Sequence, residues 1–269
     1  MRSYKYYGCE DSHIVKSALA RLASENTDKY EYRKAFLQIG SQLGRVLKHK
    51  LPVDYAETTM LACSSEDADW LAQGILEGLD GYDIPIAVFW TKRMHLNDGI
   101  DVASIFRSYQ DELRGECKTL IIAKSIINSS CVVKTQLLRM ISTISPERIL
   151  VVAPVMFKDA TSKLRQEFPD EISEKFEFVT FAVDDVVKDG VVIPGIGGWV
   201  YTRLGFGSEE EKNRYIPMIV KDRMSPKIPK RVDKPKRMVY TRRYNVNFSP
   251  VRVNGISFKK SKVFTYFAI

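Results

Sequence analysis

Eight basic residues near the C-terminus are the first set whose type and spacing suggest a chemistry. Lys227, Lys230, Arg231, Lys234, Lys236, Arg237, Arg242 and Arg243 crowd into one stretch, with Tyr240, Tyr244 and Phe248 among and after them. Clustered cations release condensed counterions when they neutralise phosphates, and aromatic rings stack on exposed bases. A nucleic acid or nucleoprotein complex is therefore the expected partner, and a solvated basic tail is the plainer alternative. The charge of the whole chain agrees with this division. Residues 212–269 hold 16 Lys/Arg against 2 Asp/Glu, or +14, whereas residues 1–211 carry −6 of the net +8.

Other candidate groups are weaker. Glu66, Asp67 and Asp69 place three carboxylates within one helical turn. They would repel a polyphosphate unless a divalent metal bridged them. The structural alternative is that Asp67 caps a helix starting there and Asp69 complements its dipole. His13, His49 and His95 lack ligand spacing, and the chain contains no GxSxG, Walker A or GxGxxG motif. Gly195, Gly197 and Gly198 resemble a nucleotide loop, but Pro194 precedes them and no amphipathic helix pattern follows. Cys131 has no histidine nearby in sequence to activate it. The four cysteines, Cys9, Cys63, Cys117 and Cys131, show no metal or disulfide spacing and read as reduced thiols.

The elements that would position these groups follow from apolar periodicity. Ile14, Ala18 and Leu22, then Phe36, Ile39, Leu43 and Val46, predict two amphipathic helices separated at Asn26, Thr27 and Asp28. Strands are expected at 59–63, 84–90, 119–122, 149–155 and 178–183, with helices at 67–79, 102–113, 132–144 and 160–168 between them. This alternation implies an α/β fold, a mainly parallel sheet flanked by helices. Ligands of such sheets bind at the carboxyl ends of strands, here after Cys63, Trp90 and Ile122. Residues 1–223 form one expected domain and 224–269 a basic extension. The extension comprises a Pro/Lys linker, a hairpin turning at Asn254-Gly255 and an apolar end, VFTYFAI. With no run of 18 apolar residues and no signal-like start, a cytoplasmic protein without membrane contact is expected.

Several segments resemble uracil phosphoribosyltransferases, of the type I phosphoribosyltransferase fold. VVIPGIGG (Val191 to Gly198), followed by Arg203, Leu204 and Phe206, is similar to that family's base-binding signature YIVPGLGDAGDRLFG. The segments LVVAPVMFKDATSKLRQEFPD and FAVDD resemble what precedes it, and His13 to Lys16 with EYRKAFLQIGSQLGRVL resemble the family's opening. The likeness covers about residues 13–207.

What the resemblance implies about site residues is changed in three places. The family's phosphate loop DPMLATGGS corresponds to Ala123, Lys124, Ser125, Ile126, Ile127, Asn128, Ser129, Ser130 and Cys131. Its acidic residue is lost and its glycine pair has become serine, leaving a phosphate-loop remnant with reduced fit. The pyrophosphate loop RAGLG corresponds to a remnant in Ser65, Glu66 and Asp67, while Arg93 resembles the arginine of the family's YRDEE segment. In the base pocket Val192, Gly195, Gly197 and Gly198 remain, but a Tyr and an Asp are replaced by Val191 and Gly198, beside Trp199.

Two functions remain open. One is a catalytically weakened phosphoribosyltransferase-like effector or accessory subunit, with no cofactor required, associated with nucleic acid through its tail. Proteins of this altered type resemble those beside reverse transcriptases in bacterial retron defence systems, which implies a reverse transcriptase partner and an antiphage role. The alternative is an active phosphoribosyltransferase or nucleotide glycosyl-bond enzyme acting on a pyrimidine or nucleotide. It would use Lys124 as a phosphate contact, a phosphorylated nucleotide or sugar as ligand, and Mg2+. The family resemblance also implies a homodimer.

Overall fold

The computed structural model describes residues 1–7, 11–95, 101–113 and 115–225, together with residues 252–253 and 256–257. A short strand β1 (Ser3–Tyr4) precedes α1 (Ser12–Ala23) and α2 (Lys29–Lys48). Asp28 caps α2, its carboxylate accepting from the amides of Tyr30 and Glu31 at 2.7 and 3.0 Å. After α3 (Tyr55–Thr58) and β2 (Thr59–Ser64), the chain turns through α4 (Ser65–Asp67) and a π-helical turn (Ala68–Ala72) into α5 (Gln73–Leu79). Then follow β3 (Ile86–His95), β4 (Asp101–Gln110), β5 (Thr119–Ala123), β6 (Ile126–Ile127) and α6 (Cys131–Ile141). The next elements are β7 (Arg148–Val152), β8 (Val155–Phe157), α7 (Ala160–Gln166), α8 (Asp170–Ser173), β9 (Phe176–Val179) and β10 (Ala182–Asp184). A hairpin of β11 (Val186–Lys188) and β12 (Val191–Ile193) leads to α9 (Val200–Arg203), α10 (Glu209–Arg214) and α11 (Met218–Met224). Beyond these, β13 (Arg252–Val253) pairs antiparallel with β14 (Ile256–Ser257).

The main sheet has the order β4-β3-β2-β5-β7-β9, parallel except for the edge pair of β3 and β4. Its central strands read as continuous apolar runs because both faces are covered. Leu61, Cys63 and Ile121 face the core formed with α1, α2 and α5, whereas Met60, Ala62, Leu120 and Ile122 face the layer of α6 and α7. This is the expected α/β class. A second sheet, β1-β10-β8-β6, receives the strands that leave the first.

Three expectations need correction. Residues 102–113 are not a helix: residues 101–110 form β4, paired with β3 from Ala87 opposite Gln110 to His95 opposite Asp101, with a bulge between Trp90 and Thr91. Val102, Ile105, Phe106 and Tyr109 satisfy a helical spacing, but their β-branched and aromatic side chains also suit a strand. The long edge of β3 supplies the pairing partner, and that non-local contact is invisible in a local window. The run 149–155 is two strands, because Pro154 has no N–H for a ladder and its carbonyl instead accepts from the amides of Phe181 and Ala182. The run 178–183 divides at the same place, into β9 and β10. In the extension, Val253 lies opposite Ile256, and the expected Asn254-Gly255 turn lies outside the described residues. The linker and the VFTYFAI segment lie outside the described residues.

The helical layer depends on close backbone approach. A Cβ placed on Gly44 of α2 would lie 2.2 Å from the carbonyl of Ile75, and one on Gly78 of α5 would lie 2.1 Å from that of Ser41. Neither atom can move without shifting a helix. Gly78→Ala is therefore expected to destabilise the chain by about 2 kcal/mol or more, even after the gain in helix propensity is deducted. The measurement is a lower urea midpoint at unchanged m-value.

Candidate functional site

Between β2 and β5 the strand order reverses, since the chain adds β3 on one side of β2 and β5, β7 and β9 on the other. Doubly wound sheets bind ligands in the crevice at this point, beyond the carboxyl ends of the strands. Ser64 ends β2 and Ala123 ends β5, so the residues that follow them meet there: Ser65, Glu66 and Asp67 from the short helix α4, Lys124 and Ser125 from the loop after β5. Sequence reasoning named all five. Their arrangement, however, differs from an open cradle.

Lys124 is buried, and its ammonium donates to Glu66 Oε1 at 2.8 Å, to Asp67 Oδ2 at 2.7 Å and to Ser125 Oγ at 3.2 Å. The Ser125 amide donates to the other oxygen of Asp67 at 3.2 Å. Asp67 thus caps no helix; its carboxylate is a two-sided acceptor inside the crevice. Lys212 of α10 reaches the same group from above, 3.6 Å from Glu66 Oε2 and donating to the Thr91 carbonyl at 3.3 Å. Lys212 also lies 3.7 Å from Glu209 of its own helix, so the two buried cations are shared among three carboxylates. Burial works against the charge on Lys124, but Asp67 and Glu66 together outweigh it and hold the ammonium above the ordinary lysine value. Burial also pushes the Asp67 carboxyl upward, against the pull of Lys124.

Lys212 is the contributor that sequence reasoning missed. In the sequence it reads as the first cation of the basic stretch, and nothing local marks it as buried. Asp69 is corrected as well. It points away from the crevice, accepting from the Tyr215 hydroxyl and from the amides of Met218 and Ile219 at 2.8 and 2.9 Å. It therefore caps α11, one layer away, and not its own helix. Asp69→Ala should remove that cap at a cost of about 2 kcal/mol, visible as faster amide hydrogen exchange across residues 218–224.

The other expected site residues divide into two groups. Asn128 donates to the Gly190 carbonyl at 2.9 Å, which brings the segment after β6 to the β11–β12 hairpin carrying Val192. Gly195 is held there, its amide donating to Asp184 at 2.9 Å and its carbonyl accepting from Arg2 at 2.6 Å. Gly195, Gly197 and Gly198 all have positive φ, and a Cβ on Gly197 would collide with the Leu22 carbonyl at 2.6 Å. Gly197 is thus packed on the end of α1, and Tyr32 of α2 donates to the neighbouring Ile196 carbonyl at 2.8 Å. Ser129 is exposed, Ser130 donates to Glu167 at 3.3 Å, and Cys131 opens α6. Arg93 lies in β3 opposite Ala103. Lys227, Lys230, Arg231, Lys234, Lys236, Arg237, Arg242 and Arg243 lie outside the described residues. Among the described residues no group of three or more His, Cys, Asp or Glu converges as a metal site would, and no helix is long and apolar enough to cross a membrane.

Fold and site together define a doubly wound α/β domain whose switch-point crevice holds its own ion-pair cluster. The fold is similar to that of the AQ2163 protein from Aquifex aeolicus, with a TM-score of 0.60 and 17% identity over 72% of this chain and 95% of that one. Weaker overlaps, too small to argue from, occur with adenine phosphoribosyltransferase from Leishmania donovani and purine phosphoribosyltransferase from Pyrococcus horikoshii. The first has a TM-score of 0.38 and 12% identity, covering 56% of this chain and 67% of that one. The second has a TM-score of 0.32 and 14% identity, covering 52% and 80%. No protein-family model matches the chain. No curated protein matches it either.

Proposed function

We propose that the chain is a phosphoribosyltransferase-like protein that has lost donor chemistry and serves as an accessory subunit on nucleic acid or a nucleoprotein complex. The engagement of Lys124 by Glu66 and Asp67 carries this reading. A pyrophosphate entering the crevice would have to displace both carboxylates from a buried cation and leave them buried without their partner, the costly outcome for a buried ion pair. The loss of the family's acidic residue at Ala123 and of its glycine pair at Ser129 and Ser130 points the same way. The basic stretch then supplies the interaction, and a homodimer would double it.

Turnover is the test. The purified protein is mixed with phosphoribosyl pyrophosphate, Mg2+ and uracil, and separately with nucleotides, while binding heat and release of pyrophosphate or free base are followed. Neither heat nor release is expected. Tight, magnesium-dependent donor binding, or steady product release, would reject the reading in favour of an active enzyme. A reverse transcriptase partner, and with it a place in a retron defence system, is the narrower form of the proposal. Co-purification from cells expressing both proteins would test it, with absence of the enzyme from the purified chain counting against it.

A further inference from the structure

Outside the crevice, Arg2 closes a second buried cluster. Its Nε and one Nη donate side-on to the two oxygens of Asp184 at 2.8 and 2.7 Å, and the same Nη donates to the Gly195 carbonyl at 2.6 Å. The Gly195 amide completes the ring by donating to Asp184 at 2.9 Å. The Asp184 side chain is fully buried and that of Arg2 is 8% exposed. The receiving side is built around glycine: Gly195 has a φ of 51°, and a Cβ there would lie 2.2 Å from the Val192 carbonyl. Two carboxylate oxygens and one carbonyl thus face a single planar fork of N–H donors. A guanidino group matches that arrangement, whereas an ammonium, a compact point donor, does not.

The segment that carries Arg2 is held lightly. Residues 1–7 lie as a strap whose strand β1 pairs over two residues, antiparallel, at the outer edge of β10. Tyr4 and Tyr7 are exposed. Beyond the strand pairing, the Lys5 amide donates to the Phe181 carbonyl at 2.8 Å and the Tyr7 hydroxyl accepts from the Thr180 amide at 3.1 Å. The Tyr6 hydroxyl is buried with no hydrogen-bond partner among the described residues, a cost that lasts as long as the strap stays docked. Release would hydrate Tyr6 but strand Asp184 as a buried charge, so it requires a replacement for the guanidinium. The edge of β10 would be freed in the same step, ready to pair with another extended chain. We propose that Asp184, the Gly195 carbonyl and the edge of β10 form a docking site for an extended, arginine-bearing peptide, filled in this state by the chain's own strap. It would operate whether or not the crevice binds a donor.

Amide hydrogen exchange on the full chain tests this, with two probes: methylguanidinium, and a synthetic peptide of residues 1–7. Methylguanidinium at about 20 mM, far below the molar range in which guanidinium salts unfold proteins, should speed exchange at Lys5 by about tenfold while residues 193–198 stay protected. The peptide should do the same at about a tenth of that concentration, because it also restores the strand pairing, and its Arg2→Lys version should not. In the full-length variant Arg2→Ala, Lys5 should exchange fast without any probe, and either probe should return protection of the Gly195 amide to within about twofold of the native chain. The native-chain measurement decides the matter even if that variant fails to fold. An equal effect of ammonium, an equal effect of the lysine peptide, or Lys5 exchange that no probe accelerates overturns the proposal. So does release by guanosine in the absence of release by the peptide, which would give the site to a base.

Discussion

Lys124→Met is expected to destabilise the folded chain by about 3–5 kcal/mol, because it leaves Glu66 and Asp67 facing each other with their buried partner gone. Lys212 stands 3.6 Å from Glu66 and can compensate for only one of them. The sign of the pH dependence follows from the carboxylates. Without Lys124, burial pushes Asp67 further above its ordinary value, so the folded variant favours the protonated acid. The penalty is then fully present above that raised value and is relieved as the pH falls through it. Denaturation curves should accordingly show a smaller difference between variant and native chain at pH 5 than at pH 7. The native chain behaves oppositely at the alkaline end. The raised value of Lys124 means that its contribution persists through neutral pH and is lost as pH rises through its folded-state value. Combining Lys124→Met with Asp67→Leu removes one charge of each sign, leaves Glu66 to Lys212 and should recover most of the loss. If the single substitution costs less than about 1 kcal/mol, the cluster is not the closed ion pair described, and the account of the crevice fails with it.

Nucleic-acid affinity of the intact chain should fall steeply with salt and should depend on the basic stretch. Eight phosphate contacts, one for each Lys and Arg from Lys227 to Arg243 named above, would give a slope of log K against log salt near −7 on duplex DNA, and about −6 on single strands. Replacing all eight by glutamine should bring the slope close to zero and weaken binding by roughly a thousandfold at 0.1 M salt. Replacing Tyr240, Tyr244 and Phe248 by alanine tests a separate component. It should reduce single-strand affinity by about tenfold per stacked base while leaving the slope unchanged. Fluorescence anisotropy with labelled single-stranded and duplex oligonucleotides at several salt concentrations reads both effects. A slope that survives the eight substitutions would assign binding to cations elsewhere, in the body or among Arg252, Lys259, Lys260 and Lys262.

The sequence alone determined the layered α/β class, because fully buried strands leave continuous apolar runs and the helices between them keep a 3.6-residue period. It also placed carboxylates directly after β2 and a lysine and a serine pair after β5, which are visible one residue at a time. Tertiary structure decided how those groups combine. Whether Asp67 caps a helix or meets Lys124, 57 residues away, depends on two strands lying side by side. Asp69 found its partners about 150 residues later, in Tyr215, Met218 and Ile219, and Lys212 reached Glu66 from α10. Residues 101–110 became a strand only because β3 offered them an edge. Local propensity reports what one segment can do, whereas buried charges and ladder edges are satisfied by whichever distant group the fold brings within reach.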